Sequence, residues 1–482
     1  MAVACGEGFT TVVTERGDLW AFGKGEYCAL GLGTDAHQLL PALVGCEDKV
    51  FDGETIVLVA AGDTHAACVA ATGTLWSWGE GECGKLGHGD TEPRQRPVRL
   101  GREMYGGSPA VMVACGKAHT LVLTAEGCVW SCGWGYYGQI GHGDKADKLL
   151  LTLVAEQQFG GAKIVMVAAG GNHSVTLGAE GRVWTWGKGQ YGRLGTNDEQ
   201  NRLVPTLLDG EALGGAAAVV VAAGHGHTVI VTIEGALWSC GFGSKGRLGL
   251  GDEDDRWTPT LVGAEVAFGG SQVLAVTCGA AHTLAVTKAG GLWSFGWGQH
   301  FALGHNDNNN RLVPTRIKAQ HFGNGNIVSA AAGPRHSVAV TEKGILYTWG
   351  QARSLGHANK QAKRVPTPLV PHLLQGARVG RCHCLPPLYA LAFAMGTHAR
   401  LGSAVPTAAA AGCGSQSRLQ HQQGKLLDAA EKGKDCAYVT MPEELVQRVV
   451  EACVFWPEGQ AGELEGVVRL LGGGMMKRMG ST

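Results

Sequence analysis

Short apolar runs separated by glycine-centred turns recur along most of the chain. The stretch from 111 shows the unit. Val111-Met112-Val113-Ala114-Cys115 is apolar, and Gly116-Lys117-Ala118-His119 follows as a turn. Thr120-Leu121-Val122-Leu123-Thr124 is a second run of β-forming residues. Ala125-Glu126-Gly127 reads as a hairpin turn, with glycine supplying the positive φ. Cys128–Cys132 is a third run. The glycine-rich loop Gly133–Asp144 comes next, and a fourth strand is expected near Leu149–Val154. These runs are too short and too often interrupted by turns to be helices. In the other units a proline stands just before or inside the fourth run, at Pro41, Pro97, Pro205, Pro259, Pro314 and Pro366. Proline cannot donate to a ladder and is tolerated at a strand start or an edge, which places the fourth strand outermost.

The unit repeats in phase. Its aromatic marker falls at Trp20, Trp76, Trp130, Trp184, Trp238, Trp293 and Tyr347, at intervals of 56, 54, 54, 54, 55 and 54 residues. Four short strands in about 54 residues, seven times over, predict an all-β chain folded as a seven-bladed β-propeller of four-stranded blades. The small residues of Val-Ala-Ala-Gly at 59–62, 167–170 and 221–224 suit strands beside a crowded axis. The Trp and Phe residues are expected to fill the wedges between blades.

The order Gly-x-x-His-(Thr/Ser), then Gly-x-(Leu/Val)-(Trp/Tyr)-x-(Trp/Phe/Cys)-Gly-x-Gly, then Leu-Gly-(His/Leu)-Gly-Asp resembles the regulator of chromosome condensation repeat family over about residues 1–371. The resemblance implies a seven-bladed propeller. It also implies protein binding as the usual role, with guanine-nucleotide exchange on a small GTPase in a few members.

Beyond the seven clear repeats, Val379-Gly380-Arg381-Cys382-His383 and Arg400-Leu401-Gly402 keep fragments of the pattern. The propeller is therefore drawn over 1–402, with a degenerate closing unit at 379–402. The N-terminus begins inside a first strand, so another segment is expected to complete that blade. Residues 403–436 read as a linker. In 437–482, Thr440-Met441-Pro442-Glu443 is a capping box, and Leu445, Val446, Val449, Val450, Cys453 and Val454 follow at helical spacing. This predicts a short helical extension.

Composition narrows the function. Lys plus Arg total 40 and Asp plus Glu total 41 in 482 residues. That balance gives no reason to expect direct nucleic-acid binding or attraction to anionic membrane. No apolar run approaches the ~18 residues of a membrane span. The opening MAVACGEGFTTVV is already repeat sequence and does not read as a signal peptide. Cys5, Cys115 and Cys278 share a column with alanines, and Cys132 and Cys240 share one with aromatics. Such exchanges mark apolar sites and a reducing compartment, the cytoplasm first and the nucleus second.

The motifs that suggest chemistry dissolve into the repeat. Gly-x-Gly-x-x-Gly occurs in phase at Gly79, Gly133, Gly187 and Gly241, but opens a further turn and not a phosphate-binding helix. The histidine column is His65, His119, His173, His227, His282 and His336, with Phe9 in the first unit. One imidazole per blade cannot converge on a single metal; each is expected to bond backbone in its own or the next blade. The Ser or Thr after five of these histidines (Thr120, Ser174, Thr228, Thr283 and Ser337) recurs blade after blade, without one convergent triad. No catalytic residue, metal or cofactor is assigned.

The informative positions are loop residues that differ between units. Trp134, Tyr136, Tyr137, Tyr191, Arg193, Arg247, Trp297 and Phe301 are the candidate partner-binding residues, since aromatics and Arg commonly anchor interfaces. The expected function is a monomeric, non-catalytic interaction scaffold for a protein partner; the alternative is an exchange factor, with a small GTPase as that partner. The near-constant interval leaves no room for an extra wedge hairpin such as the family's Ran exchange factor uses. Light sensing, known in this family, would need Trp where Asp63, Lys117, Gly171, His225, Ala280 and Pro334 stand.

Overall fold

Each predicted unit forms one antiparallel meander in which every strand pairs with the next in sequence. A computed structural model describes residues 3–45, 50–263, 267–369 and 374. Its strands make seven four-stranded sheets. Blade 1 runs Val3–Cys5, Phe9–Val13, Leu19–Gly23 and Gln38–Leu43; blades 2 to 7 begin at Ile56, Ala110, Ile164, Ala218, Val273 and Ile327. The fourth strand of blade 3 is Lys148–Leu153, one residue earlier than expected, and the six prolines lie inside the other outer strands.

The expectation that a distant segment completes blade 1 is corrected. All four of its strands come from residues 3–43. The ring closes through side chains: Val12, Trp20 and Phe22 of blade 1 pack with Val338, Val340 and Leu346 of blade 7, alongside Leu369 and Leu374. Other blade junctions are built alike. Phe9, Val13 and Leu30 of blade 1 meet Val59, Trp76 and Trp78 of blade 2 in one cluster. Trp76, Trp78, Trp186 and Trp349 are fully buried. Truncating one would cost about 3–5 kcal/mol through lost burial and an unfilled cavity.

The register fixes which loops share an end. His119 pairs with Gly133, so the Gly-x-x-His turn before the second strand lies beside the loop that leaves the third. Gly133 has φ +107, and a Cβ there would sit 2.4 Å from the Ala118 carbonyl oxygen. Only glycine lets the strand and turn approach so closely. We call this end, with its turns and glycine-rich loops, the loop face.

The glycine-rich loops of blades 1 to 6 also latch the next blade. Gly33 N–H donates to Gln95 O, Gly89 to Leu149 O, Gly143 to Leu203 O and Gly251 to Leu312 O, at 2.9 Å. The outer strands are thus partly covered, which together with their prolines blunts the edge. Blade 3 has Leu151 where the others have proline. Among the described residues it is also where the preceding loop forms an isolated β-bridge, His88 with Leu150.

The expected degenerate unit, linker and helical extension lie outside the described residues.

Candidate protein-binding face

The histidine column forms a relay between blades. Nε2 of His65 lies 2.9 Å from Thr120 Oγ1, His119 3.0 Å from Ser174 Oγ and His173 2.9 Å from Thr228 Oγ1. His227 meets Thr283 at 3.0 Å, His282 meets Ser337 at 2.9 Å, and His336 meets Thr10 at 3.0 Å, which carries the relay across the closing seam. Each hydroxyl donates onward to a loop carbonyl of its partner histidine's blade, as Thr228 does to Arg193 O at 2.6 Å and Ser174 to Gln139 O at 2.7 Å. The hydroxyl proton is therefore committed, and Nε2–H must be the donor to it. The expected backbone partner is corrected to a hydroxyl side chain of the next blade.

The relay has one gap, and both halves are missing together. Blade 1 carries Phe9, and blade 2, which would supply the hydroxyl, carries Ala66. Trp78 Nε1 bonds the otherwise unserved Ala29 carbonyl at 3.0 Å. Burial holds the imidazoles neutral: His119 and His282 are pushed down to about 4 and His336 to about 3. Nδ1 of His65, His119, His173, His227 and His336 has no partner, so a proton there would be a buried unpaired charge. This column is architecture, not chemistry.

Two of the candidate binding residues belong to the same architecture. Arg193 and Arg247 are 5% and 7% exposed. Arg193 donates from Nε to Gln190 O and from Nη1 to His225 O in the next blade, at 2.9 and 3.0 Å. Arg247 does the same to Ser244 O and Ala280 O. Both brace one blade's turn from its neighbour. Lys85, in the same column, is buried with its Nζ 2.5 Å from Glu80 Oε2 and 3.2 Å from Thr64 Oγ1.

The aromatic candidates lie above these braces. Trp134 stacks on Tyr136 with centroids 5.9 Å apart, and Tyr137 meets both edge-on. Tyr136 is 57% exposed; Trp134 and Tyr137 are half-buried. Tyr191 of blade 4 stacks at 4.3 Å on Phe242 of blade 5, a residue not singled out from sequence. The guanidinium of Arg247 lies over Phe242 at 4.5 Å and that of Arg193 beside Tyr191 at 5.7 Å. In blade 6, Trp297 meets His300 edge-on at 5.7 Å, and Arg364 of blade 7 covers Phe301 at 4.9 Å. The residue following each third strand could have flagged Phe242: the column reads Lys24, Glu80, Trp134, Lys188, Phe242, Trp297, Gln351, apolar in blades 3, 5 and 6.

At the axis, Asp63 Oδ1 of blade 2 lies 3.2 Å from His225 Nε2 of blade 5. No sequence pattern joins residues 162 positions apart. Burial works to raise the Asp63 carboxyl, but the His225 hydrogen bond and the charges of His225, Lys117 and Lys85 hold it below its usual value. The pair sits on the wall of an axial cavity of 370 Å³ lined mainly by Val, Ala and Gly of the first strands. Its first-strand thiols are inert, since burial pushes Cys5, Cys115 and Cys278 up to about 12. Among the described residues no group of His, Cys, Asp and Glu is placed to hold a metal, and no helix is long and apolar enough to cross a membrane.

Comparison with known proteins agrees with this geometry. The family model of the RCC1-like domain matches residues 1–275, and that of the regulator of chromosome condensation (RCC1) repeat matches 289–340. The ultraviolet-B receptor UVR8 of Arabidopsis thaliana is 38% identical over 310 residues, which cover 63% of this chain and 68% of the receptor. The human E3 ubiquitin-protein ligase HERC2 is 33% identical over 330 residues, 68% of this chain but 7% of the ligase. The crystal structure of human WBSCR16 superposes with a TM-score of 0.63 at 26% identity, covering 70% of this chain and 85% of that one. Yeast RCC1 (Prp20), in its complex with Kap60, shares the fold with a TM-score of 0.64 at 24% identity, covering 75% and 85%. With four-stranded repeats in phase, a shared ring architecture and a family model matching more than half its length, the chain belongs to the RCC1-like family of seven-bladed β-propellers.

Proposed function

We propose that this propeller is a non-catalytic interaction module that holds a protein partner on the loop face of blades 3 to 6. The observation that carries the reading is the solvent-reaching aromatic cluster of exposed Tyr136 with half-buried Trp134 and Tyr137, continued by the half-buried Tyr191–Phe242 pair and Trp297. Rigid aromatics supply contact area at small entropic cost and commonly dominate binding energy. Arg193 and Arg247 brace the loops that carry Tyr191 and Phe242, and Gln139 Oε1 holds the Tyr137 N–H in blade 3, so these parts of the surface are preorganised.

The second reading is nucleotide exchange. It is favoured by the fold shared with yeast Prp20p, whose structure is described with its binding to Gsp1p and histones. Against it, the glycine-rich loops of blades 1, 2 and 4 to 7 each carry a short 3₁₀ turn of three residues, and that of blade 3 carries a plain turn at the matching place, with no inserted wedge among the described residues. Cytoplasm, and secondarily nucleus, is the compartment that suits the unpaired cysteines of the described residues.

Affinity capture with mass spectrometry tests the first reading, comparing the full chain with Tyr136→Ala/Tyr137→Ala. Loss of specific partners in the variant, with unchanged melting temperature, is the expected result. Equal recovery with both proteins would refute the assignment of this face. For the second reading, a purified Ran-type GTPase loaded with labelled GDP should release nucleotide no faster in the presence of substoichiometric propeller.

A further inference from the structure

This inference rests on the loop face being the partner surface, and adds what the partner presents there. Many cations of this face are neutralised internally. Lys85 pairs with Glu80, and Lys24 with Glu26. At the outer turn of the glycine-rich loops, Arg94 pairs with Asp90, Lys148 with Asp144, Arg202 with Asp198, Arg256 with Asp252 and Arg311 with Asp307. Lys117, Lys145 and Lys188 depart from this scheme. None has a carboxylate at ion-pair distance among the described residues, and all three border the aromatic cluster of blade 3.

Their placement is specific. Lys188 Nζ lies 4.7 Å from the centroid of the Tyr137 ring, and Lys145 Nζ lies 6.0 Å from that of Tyr136. Lys117 is exposed on the turn whose next carbonyl, Ala118 O, holds the Trp134 N–H at 2.8 Å. A ring face attracts an ammonium electrostatically but takes none of its hydrogen-bond donors in the usual sense. The lysines are thus oriented beside exposed aromatics with donor capacity left over.

We propose that the partner engages blades 3 and 4 through an acidic segment. Its carboxylates meet Lys117, Lys145 and Lys188, and an apolar side chain between them lies on Tyr136 and Trp134. A nucleic-acid strand suits the patch less well. Asp144 and Asp147 flank Lys145 in the same loop, and Asp63 lies within electrostatic reach of Lys117, so a continuous run of phosphates would meet repulsion there; the chain as a whole carries a net charge of −1. Separate carboxylates can meet the three ammonium groups and avoid those acids.

The test uses fluorescein-labelled dodecapeptides of alternating Glu and Leu, Gln and Leu, or Lys and Leu, and an oligo-dT of twelve nucleotides, with binding to the full chain read by anisotropy at low salt. The Glu–Leu peptide is expected to bind at least about tenfold more tightly than the Gln–Leu peptide, and the Lys–Leu peptide most weakly. Lys117→Glu/Lys145→Glu/Lys188→Glu should abolish that preference, and the triple Gln variant should reduce it. Equal binding of the Glu and Gln peptides, indifference to charge reversal, or tighter binding of oligo-dT would each overturn the inference. If capture of the natural partner depends on Tyr136 and Tyr137 but not on the three lysines, the interaction face stands and the acidic segment is refuted.

Discussion

The relay beneath the loop face and the aromatic surface above it are built from the same repeat, yet they obey opposite rules. In the relay, change is tolerated only in pairs: Phe9 stands where a histidine is absent, and Ala66 where its hydroxyl would be. On the surface, change is free, and neighbouring blades carry Glu80, Trp134, Lys188 and Phe242 at one position. The difference follows from burial. A buried donor without a partner costs about 1–3 kcal/mol, whereas water satisfies an exposed one. Repetition therefore marks what the ring cannot do without, and irregularity marks what is available for recognition.

Acid should break the relay most strongly. Its six imidazoles are neutral and buried in the fold, with affinities for protons held below the ordinary 6.5. The unfolded chain binds protons more readily, so their contribution is intact above about pH 6.5 and is lost as pH falls toward 4. Each contributes about 1.4 kcal/mol per pH unit in that window. Chemical denaturation from pH 7 to 5 should show a loss on the order of 10 kcal/mol for the six together, enough to threaten the fold; a flat profile would mean the imidazoles are not held neutral.

Pairing is tested next. Thr228→Ala leaves His173 Nε2–H and the Arg193 carbonyl without their hydroxyl, and should cost about 2–3 kcal/mol. Combining it with His173→Phe rebuilds the Phe9–Ala66 arrangement. The double variant should recover at least about 1 kcal/mol relative to the single alanine. Strict additivity of the two changes would show that the gap at blades 1 and 2 is not a matched pair.

Arg193 lies between the two regions. Removing it frees the His225 carbonyl and the support under Tyr191, so Arg193→Ala should destabilise by about 1–2 kcal/mol and also weaken partner capture. A stable variant that loses binding alone would move Arg193 to the recognition surface. The smallest effect on stability belongs to Tyr136→Ala, whose ring is exposed; unfolding should shift by less than about 0.5 kcal/mol while affinity falls. Marked destabilisation would reassign Tyr136 to packing.

Much of the ring was legible because its periodicity is local. The runs around Val111, Leu121 and Trp130 predict three strands of one blade, and the prolines place the fourth at the edge. The site was less legible. Tyr136 and Trp134 could be read as surface aromatics from their loop. Arg193 looked equally free, and its burial depends on the next blade's turn coming within 3.0 Å of its guanidinium. The column flags Phe242 as an apolar loop residue, but its stacking on Tyr191, 51 residues earlier, comes from the fold.

The sequence by itself determined the number of blades, their strand order and which loop positions differ from blade to blade, because alternation and turn chemistry act over a few residues. The tertiary structure decided what crosses between blades. It set the hydroxyl partner of each histidine, the closure of the ring without a borrowed strand, the Asp63–His225 contact over the axis and the separation of buried from exposed cations. Those depend on the angle and spacing of neighbouring sheets, which arise only when seven wedges close on one another.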